Sequence, residues 1–381
     1  MTADRNGNGG DRRDDQSRSA QVDFLRAAAI VAVVVIHVWG PSTEVTRERG
    51  PLQAAFFSLF VCGSWWAVPA FFFLSGLLLT QRAEFASWKE RLAWLRRRGA
   101  RLLPPYLFWS GLYLLVAKET DPLAVLRSLL LGTASYQLYF VVALVQAYLL
   151  WWLAMPWLSR QPRLWQTVAL LGCLAASAIA HVWRAVYLNG VDADEFEWLR
   201  ATVLPWLGYF AFGCLLALRF RGQGPQDALS GMFSGRPEAR RTQLLSRTII
   251  AGVVLVLIAT GEATYGGPHR DDPLNAALRF PYAFSVLLVM AALGEWADRW
   301  MGEGARRFAR ALARDSYGIY LCHVLVMQLL GGHVYLQLAG LSLPLELAYR
   351  VLGLVVTIGV SWGLVRLLAS VPGVRRVSGA E

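Results

Sequence analysis

Lysine is almost missing from these 381 residues: Lys89 and Lys118 stand against 35 arginines. Cysteine is scarce too, and Cys62, Cys173, Cys214 and Cys322 each fall inside an apolar run with no C-x-x-C pair among them. That spacing excludes a disulfide framework and a thiolate zinc site, leaving four small buried hydrophobes. An H-E-x-x-H helix and a phosphate-binding glycine loop ending in Gly-Lys are both lacking, so metal-assisted and nucleotide hydrolysis have no residues to carry them. No metal site is expected. No repeat of solenoid period is visible, and the longest hydrophilic loop, 219–247, is rich in Gly, Arg and Pro and reads as a linker.

What the chain has in excess is apolar surface. Of its residues 56% are hydrophobic and 12% aromatic, with 16 tryptophans. Several runs approach the roughly 20 apolar residues needed to cross a bilayer core of ~30 Å. The expected fold class is therefore all-α, a polytopic membrane protein. About ten transmembrane helices are placed near 22–40, 55–80, 102–118, 139–158, 164–184, 203–219, 247–263, 277–294, 316–338 and 343–366. The second contains Pro69, which predicts a tilt or break, and the third opens on Pro104 and Pro105, tolerable in a first turn. Residues 1–20 are polar and patternless, a disordered tail; 21–370 form the membrane domain and 371–381 a second tail. No basic, apolar, small-residue cleavage pattern precedes the first span, which is expected to stay as a signal anchor.

An even number of spans puts both termini on one side, and charge selects it. With that side cytoplasmic, the inner segments hold 28 of the 37 Arg and Lys residues and the outer loops nine, the asymmetry that orients membrane proteins. The basic "RAEFASWKERLAWLRRRGAR" (82–101) contrasts with the acidic "RAVYLNGVDADEFEWLR" (184–200). The formal net charge of +11 is thus an orientation signal and a contact for anionic lipids, not a nucleic-acid surface. The preference for arginine over lysine suits a GC-rich bacterial genome, and the expected location is the bacterial cytoplasmic membrane.

The first span, "QVDFLRAAAIVAVVVIHVWG" (21–40), is Ala, Val and Ile at its centre yet carries Arg26 and His37. Each costs a few kcal/mol in hydrocarbon and should face the bundle interior. Eleven helical steps of ~100° put both on one face, ~16 Å apart along the axis. Arg26 near the inner interface can snorkel, either as an anchor paired with Asp23 or as a working cation. His37 is either a histidine satisfied by a neighbouring carbonyl or hydroxyl, or a base. Most of the 16 Trp and 13 Tyr suit interfacial belts, while Trp198 and Trp206 in outer segments are placed to stack on sugar faces.

"VDFLRAAAIVAVVVIHV" resembles the first span of the acyltransferase 3 family, bacterial integral-membrane acyl-CoA-dependent O-acyltransferases, which carries an arginine, ten residues, then an essential histidine. Three further stretches agree in order. "VPAFFFLSGLLL" (68–79) resembles the family's aromatic second span ending in Ser-Gly, and "RRRGARLLPPYLFW" (96–109) its R-x-x-R segment entering a proline-containing span. "DSYGIYLCHVLV" (315–326) resembles its late Ser-Tyr-x-x-Tyr-Leu-x-His motif. The chain departs from many relatives in carrying no soluble esterase-like domain. It also reads "YQLYFVVALVQAYLL" (136–150) where many have a tryptophan-rich stretch with an acidic residue, a form closer to the branch that modifies surface polysaccharides.

The resemblance implies transfer of an acyl group, acetyl first among them, from acyl-CoA to a hydroxyl of a carbohydrate or cell-surface glycan, with no permanently bound cofactor. A macrolide or other secondary metabolite is the alternative acceptor, and a transporter of lipid-linked or polymeric sugar the alternative class. Histidine titrates near working pH and stays neutral away from water, so His37 becomes the general base, with an acyl-histidine intermediate equally open. Arg98 and Arg101, one turn apart, suit phosphate oxygens, with positive-inside anchoring as their other role, and Arg26 would meet the donor at a channel mouth. Ser75 beside Gly76 fits either the channel or close helix packing. Tyr317, Tyr320 and His323, at helical i, i+3 spacing, line the channel or satisfy one another. His181, His269 and His333 are expected to be structural or solvated.

Overall fold

The computed structural model describes residues 20–46, 59–81, 87–188, 201–232, 237–264, 273–330 and 342–380. Every regular element among them is helical: α1 (Ala20–Thr46), α2 (Ala67–Gln81), α3 (Trp88–Val116), α4 (Pro122–Leu131), α5 (Tyr139–Leu158) and α6 (Arg163–Leu188). A 3-10 turn (Leu204–Trp206) leads into α7 (Leu207–Arg219), followed by α8 (Pro225–Gly231), α9 (Pro237–Thr264) and α10 (Pro273–Trp300). The described chain closes with α11 (Glu303–Leu329), α12 (Leu343–Ser370) and the single turn α13 (Arg375–Ser378).

Six described stretches are long and apolar enough to cross a membrane: Ala20–Gly40, Leu59–Gln81, Tyr139–Leu158, Arg163–Trp183, Ala277–Ala297 and Leu343–Ser370. The other expected spans coincide with helices that are shorter or carry charge. The third lies in α3, the sixth in the apolar stretch Leu204–Arg219, and the seventh overlaps another, Gln243–Val256. The ninth begins in α11, whose first half bears Arg306, Arg307, Arg310 and Arg314.

Burial shows which solvent the bundle meets. On α12 the enclosed face is Glu346, Arg350, Gly353, Thr357, Ser361 and Val365, spaced at turns of one helix, while Leu352, Val355 and Leu367 point outward. Polar inside and apolar outside inverts the pattern of a soluble helix and fits lipid, where ionisable groups turn to the interior and pair. Arg350 Nε donates to Glu346 Oε1 at 3.0 Å. The same logic ties α12 to α11: the fully buried Asp315 takes Arg366 Nε at 2.5 Å and the indole of Trp362 at 2.7 Å.

Glycine sets the closest crossing. A Cβ on Gly76 would overlap the Phe210 carbonyl, and one on Gly213 the Phe73 carbonyl; α2 and α7 approach backbone to backbone, as small residues permit in membranes.

One boundary differs from expectation. The basic segment before the third span is part of the same helix, started by Ser87, whose side chain accepts from the Glu90 amide at 3.3 Å. Its Leu, Arg and Lys are good helix formers, so α3 begins well before residue 102 and Pro104 and Pro105 lie inside it. Their missing N–H groups release the carbonyls of Ala100 and Arg101 from the helical ladder.

Candidate active site

Arg26, Ser75, Arg98, Arg101, Tyr317 and Tyr320 line one cavity of about 440 Å³, within the ~300–1,000 Å³ range of ligand pockets. They come from α1, α2, α3 and α11, far apart in sequence. Arg375 and Arg376 of α13 complete its wall, and among the described lining residues there is no Asp or Glu. Five guanidinium groups, with no carboxylate among the described lining residues, give this cavity the electrostatics that suit a multiply charged anion. Arg98 and Arg101 share a face of α3 by their i, i+3 spacing, with Arg98 over the Trp94 ring at 5.7 Å. The Tyr317 hydroxyl donates to the Leu102 carbonyl at 2.8 Å, holding α11 against α3 at the cavity wall. Asp23, whose side chain is 3.8 Å from Arg310 on α11, does not line the cavity.

His37 opens onto a second cavity of about 250 Å³, walled by Trp65, Tyr136, Tyr139, His181, Trp206, Tyr209 and Arg279 among others. Arg279 lies 3.8 Å over the Trp65 ring. Aromatic faces with a few polar groups between them suit a polyol, whose C–H faces stack while its hydroxyls bond. Tyr320 lines both cavities. Tyr320 therefore stands in the wall of each space, with Arg26 and His37 about three turns apart on α1.

His323, expected beside Tyr317 and Tyr320 on the channel wall, lines neither cavity and is fully buried. One further i, i+3 step on α11 turns it inward, where its ring centroid is 5.1 Å from that of His37. Its Nδ1 faces the Tyr320 carbonyl at 2.8 Å and the Ile319 carbonyl at 3.2 Å. Carbonyls only accept, so the neutral ring carries its proton on Nδ1 and leaves Nε2 as an acceptor; that nitrogen is buried without a hydrogen-bond partner. A lone pair held ready beside His37 is suited to fix the tautomer of that imidazole.

The backbone around His323 is held by Tyr113, which sequence reasoning missed. Its hydroxyl donates to the Leu321 carbonyl at 3.0 Å and accepts from the Leu325 amide at 2.9 Å, the two groups that an uninterrupted helix joins directly. It also accepts from Gln137 Nε2 at 2.9 Å, and the Gln137 carbonyl takes the hydroxyl of Tyr320. One phenol thus stitches α3, the turn before α5 and α11 together at the His323 turn. Tyr113→Phe is expected to cost about 1–3 kcal/mol, since it strands buried partners. A lower melting temperature in detergent checks this; an unshifted melt overturns it.

Of the other histidines, His181 belongs to the wall of the second cavity rather than to solvent, while His269 and His333 lie outside the described residues, as does Trp198. Tyr113 and Gln137 gave little signal, one being an ordinary span tyrosine and the other a lone amide between two tyrosines. Arg279 was hidden among the outer cations. Arg375 and Arg376 fell in what reads as a tail.

Comparison with curated proteins and with solved structures returns no match at significance. A family model described as an acyltransferase domain matches residues 19–366, a stretch holding His37, His323 and every cavity-lining residue before α13. Having that match over most of its length, with the helices of a membrane protein around it, the chain belongs to the acyltransferase 3 family.

Proposed function

We propose that this membrane acyltransferase moves an acyl group, acetyl first among candidates, from acyl-CoA to a hydroxyl of a carbohydrate or cell-surface glycan at the bacterial cytoplasmic membrane. The observation that carries the reading is that Tyr320 lines both an arginine-walled cavity and a histidine-bearing, aromatic one. The nucleotide end of the donor occupies the first, its phosphates on Arg98, Arg101 and Arg26. The pantetheine arm runs along α1 past Tyr320 and delivers the thioester to His37, and the sugar lies in the second cavity against Trp206 and Trp65.

His37 takes the proton of the acceptor hydroxyl as its oxygen attacks the thioester carbonyl carbon. The C–O bond forms, the tetrahedral adduct collapses, the C–S bond breaks, and the imidazolium returns the proton to the departing thiolate. The products are an ester and free CoA. His323 stands ready to assist: a turn of the His37 ring toward its unpartnered Nε2 would fix the working tautomer, as an orienting group does beside a base. With ten spans and both termini inside, the arginine cavity faces the compartment that makes acyl-CoA, and an acceptor on the aromatic side is modified at or across the membrane.

Purified protein incubated with labelled acetyl-CoA and a polysaccharide acceptor should release free thiol and label the acceptor. A protein that only transports sugar would do neither. Arg98→Ala with Arg101→Ala is expected to raise the KM for acetyl-CoA by about ten- to a thousandfold, the scale of one or two lost charge-assisted hydrogen bonds. An unchanged KM would return both arginines to the role of membrane anchors.

A further inference from the structure

We infer that the segment Arg375–Ala380 is a clamp on the donor cavity whose two arginines bind a phosphate group of the acyl-CoA; this rests on the donor reading above. The segment follows α12, outside the residues 19–366 that carry the family match, so its role comes from this chain's own geometry. Arg375, Arg376, Gly379 and Ala380 all line the 440 Å³ cavity.

The segment is docked, not loose. Ser378 is fully buried; its hydroxyl donates to the Arg375 carbonyl at 2.8 Å and accepts from the Ala380 amide at 3.1 Å, closing the turn on itself. Two glycines let it approach α11. A Cβ on Gly318 would stand 2.7 Å from the Ser378 carbonyl oxygen, and one on Gly379 2.8 Å from the Gly318 Cα. Gly379 also has φ +80, the left-handed region that a Cβ disfavours. Gly318 lies between Tyr317 and the cavity-sharing Tyr320, so the turn is seated on the helix that walls the site.

The charge then has a direction. Arg375 and Arg376 are exposed and face an enclosure already holding Arg26, Arg98 and Arg101. Cations do not gather around an empty space without cost; a ligand with separate phosphates resolves it. CoA carries two such centres, a diphosphate and a 3′-phosphate monoester on the ribose. Arg98, half-buried on α3, and Arg101 one turn on, exposed, suit the first, and the pair on the terminal turn suits the second, which lies farthest from the thioester. A lipid phosphate reaching the same turn offers like chemistry, so the test must separate the two.

The experiment measures kcat/KM for acetyl-CoA, acetyl-dephospho-CoA and acetyl-pantetheine with wild-type protein and with Arg375→Gln/Arg376→Gln, in neutral and in anionic vesicles. Release of thiol from acetyl-CoA by the wild type establishes the donor reading; its absence overturns that reading and the inference with it. Given that release, the variant is expected to lower the acetyl-CoA to acetyl-dephospho-CoA preference by about tenfold or more, the scale of a lost charge-assisted contact, in both vesicle types. A uniform fall for all three donors marks a structural role and overturns the clamp. A loss seen only in anionic vesicles assigns the pair to lipid headgroups and overturns it equally. Where the double variant fails to accumulate, Arg376→Lys keeps the charge but loses the planar fork and must show the same selective fall, or the inference fails.

Discussion

His37→Ala is expected to lower acyl transfer by about 10²- to 10⁴-fold, the range that a positioned general base supplies, with normal accumulation and an unchanged melting temperature. The second part follows from where the ring is. His37 is only half-buried, opening onto the aromatic cavity, with the Tyr136 ring 4.9 Å away; truncation enlarges a space that already exists instead of emptying a packed core. Thiol release from labelled acetyl-CoA, measured on protein that elutes as a single peak, separates lost chemistry from lost fold. Turnover near the wild-type rate would remove His37 from the reaction. A pre-steady-state run without acceptor adds a second distinction: direct transfer releases no burst of thiol, whereas forming an acyl-histidine releases about one thiol per protein.

The residues brought together around this ring were legible in sequence to different degrees, for physical reasons. Arg26 and His37 could be seen because an ionisable side chain in an apolar run is expensive and stands out. Arg98 and Arg101 stood out by charge at a helical interval. What sequence could not supply is which helices touch. The i, i+3 spacing of Tyr317, Tyr320 and His323 fixes their relative angle on α11. The neighbours of α11 decide the rest: Tyr317 meets α3, Tyr320 the boundary of two cavities, and His323 the ring of His37. Hydropathy likewise caught the all-helical membrane class, since apolar runs announce themselves. It blurred where spans carry function: α11 and α3 include arginines that dilute the signal, and Glu346 and Arg350 hide their charge against each other inside α12. The terminal turn at Arg375–Ser378 has too few apolar residues to announce burial. It is held by two glycines and a serine, whose contribution is absence of bulk and one hydroxyl.

Gly76 is where the fold itself is most exposed to a single change. Ala at this position would place its Cβ against the Phe210 carbonyl and 3.2 Å from the Cys214 amide nitrogen. Both are backbone atoms of α7, which cannot rotate away as a side chain does. The two helices must separate, and with them the contacts that drive association in lipid, where close packing replaces the hydrophobic effect. Overpacking of this kind costs about 1–3 kcal/mol for small additions and more for large ones. The damage reaches both cavities, because α2 supplies Phe71, Leu74 and Ser75 to the first and Val68 and Pro69 to the second, while α7 supplies Tyr209. Gly76→Ala is therefore expected to melt at a clearly lower temperature, and Gly76→Leu to fail to accumulate as a monodisperse species in detergent. Gly172→Ala and Gly359→Ala are the controls. A Cβ at either meets nothing within 4 Å, and alanine favours a helix by about 1 kcal/mol over glycine, so both should melt at or above the wild-type temperature. A Gly76→Ala protein that melts with those controls would mean that α2 and α7 are not packed backbone to backbone, and the walls of both cavities would have to be redrawn.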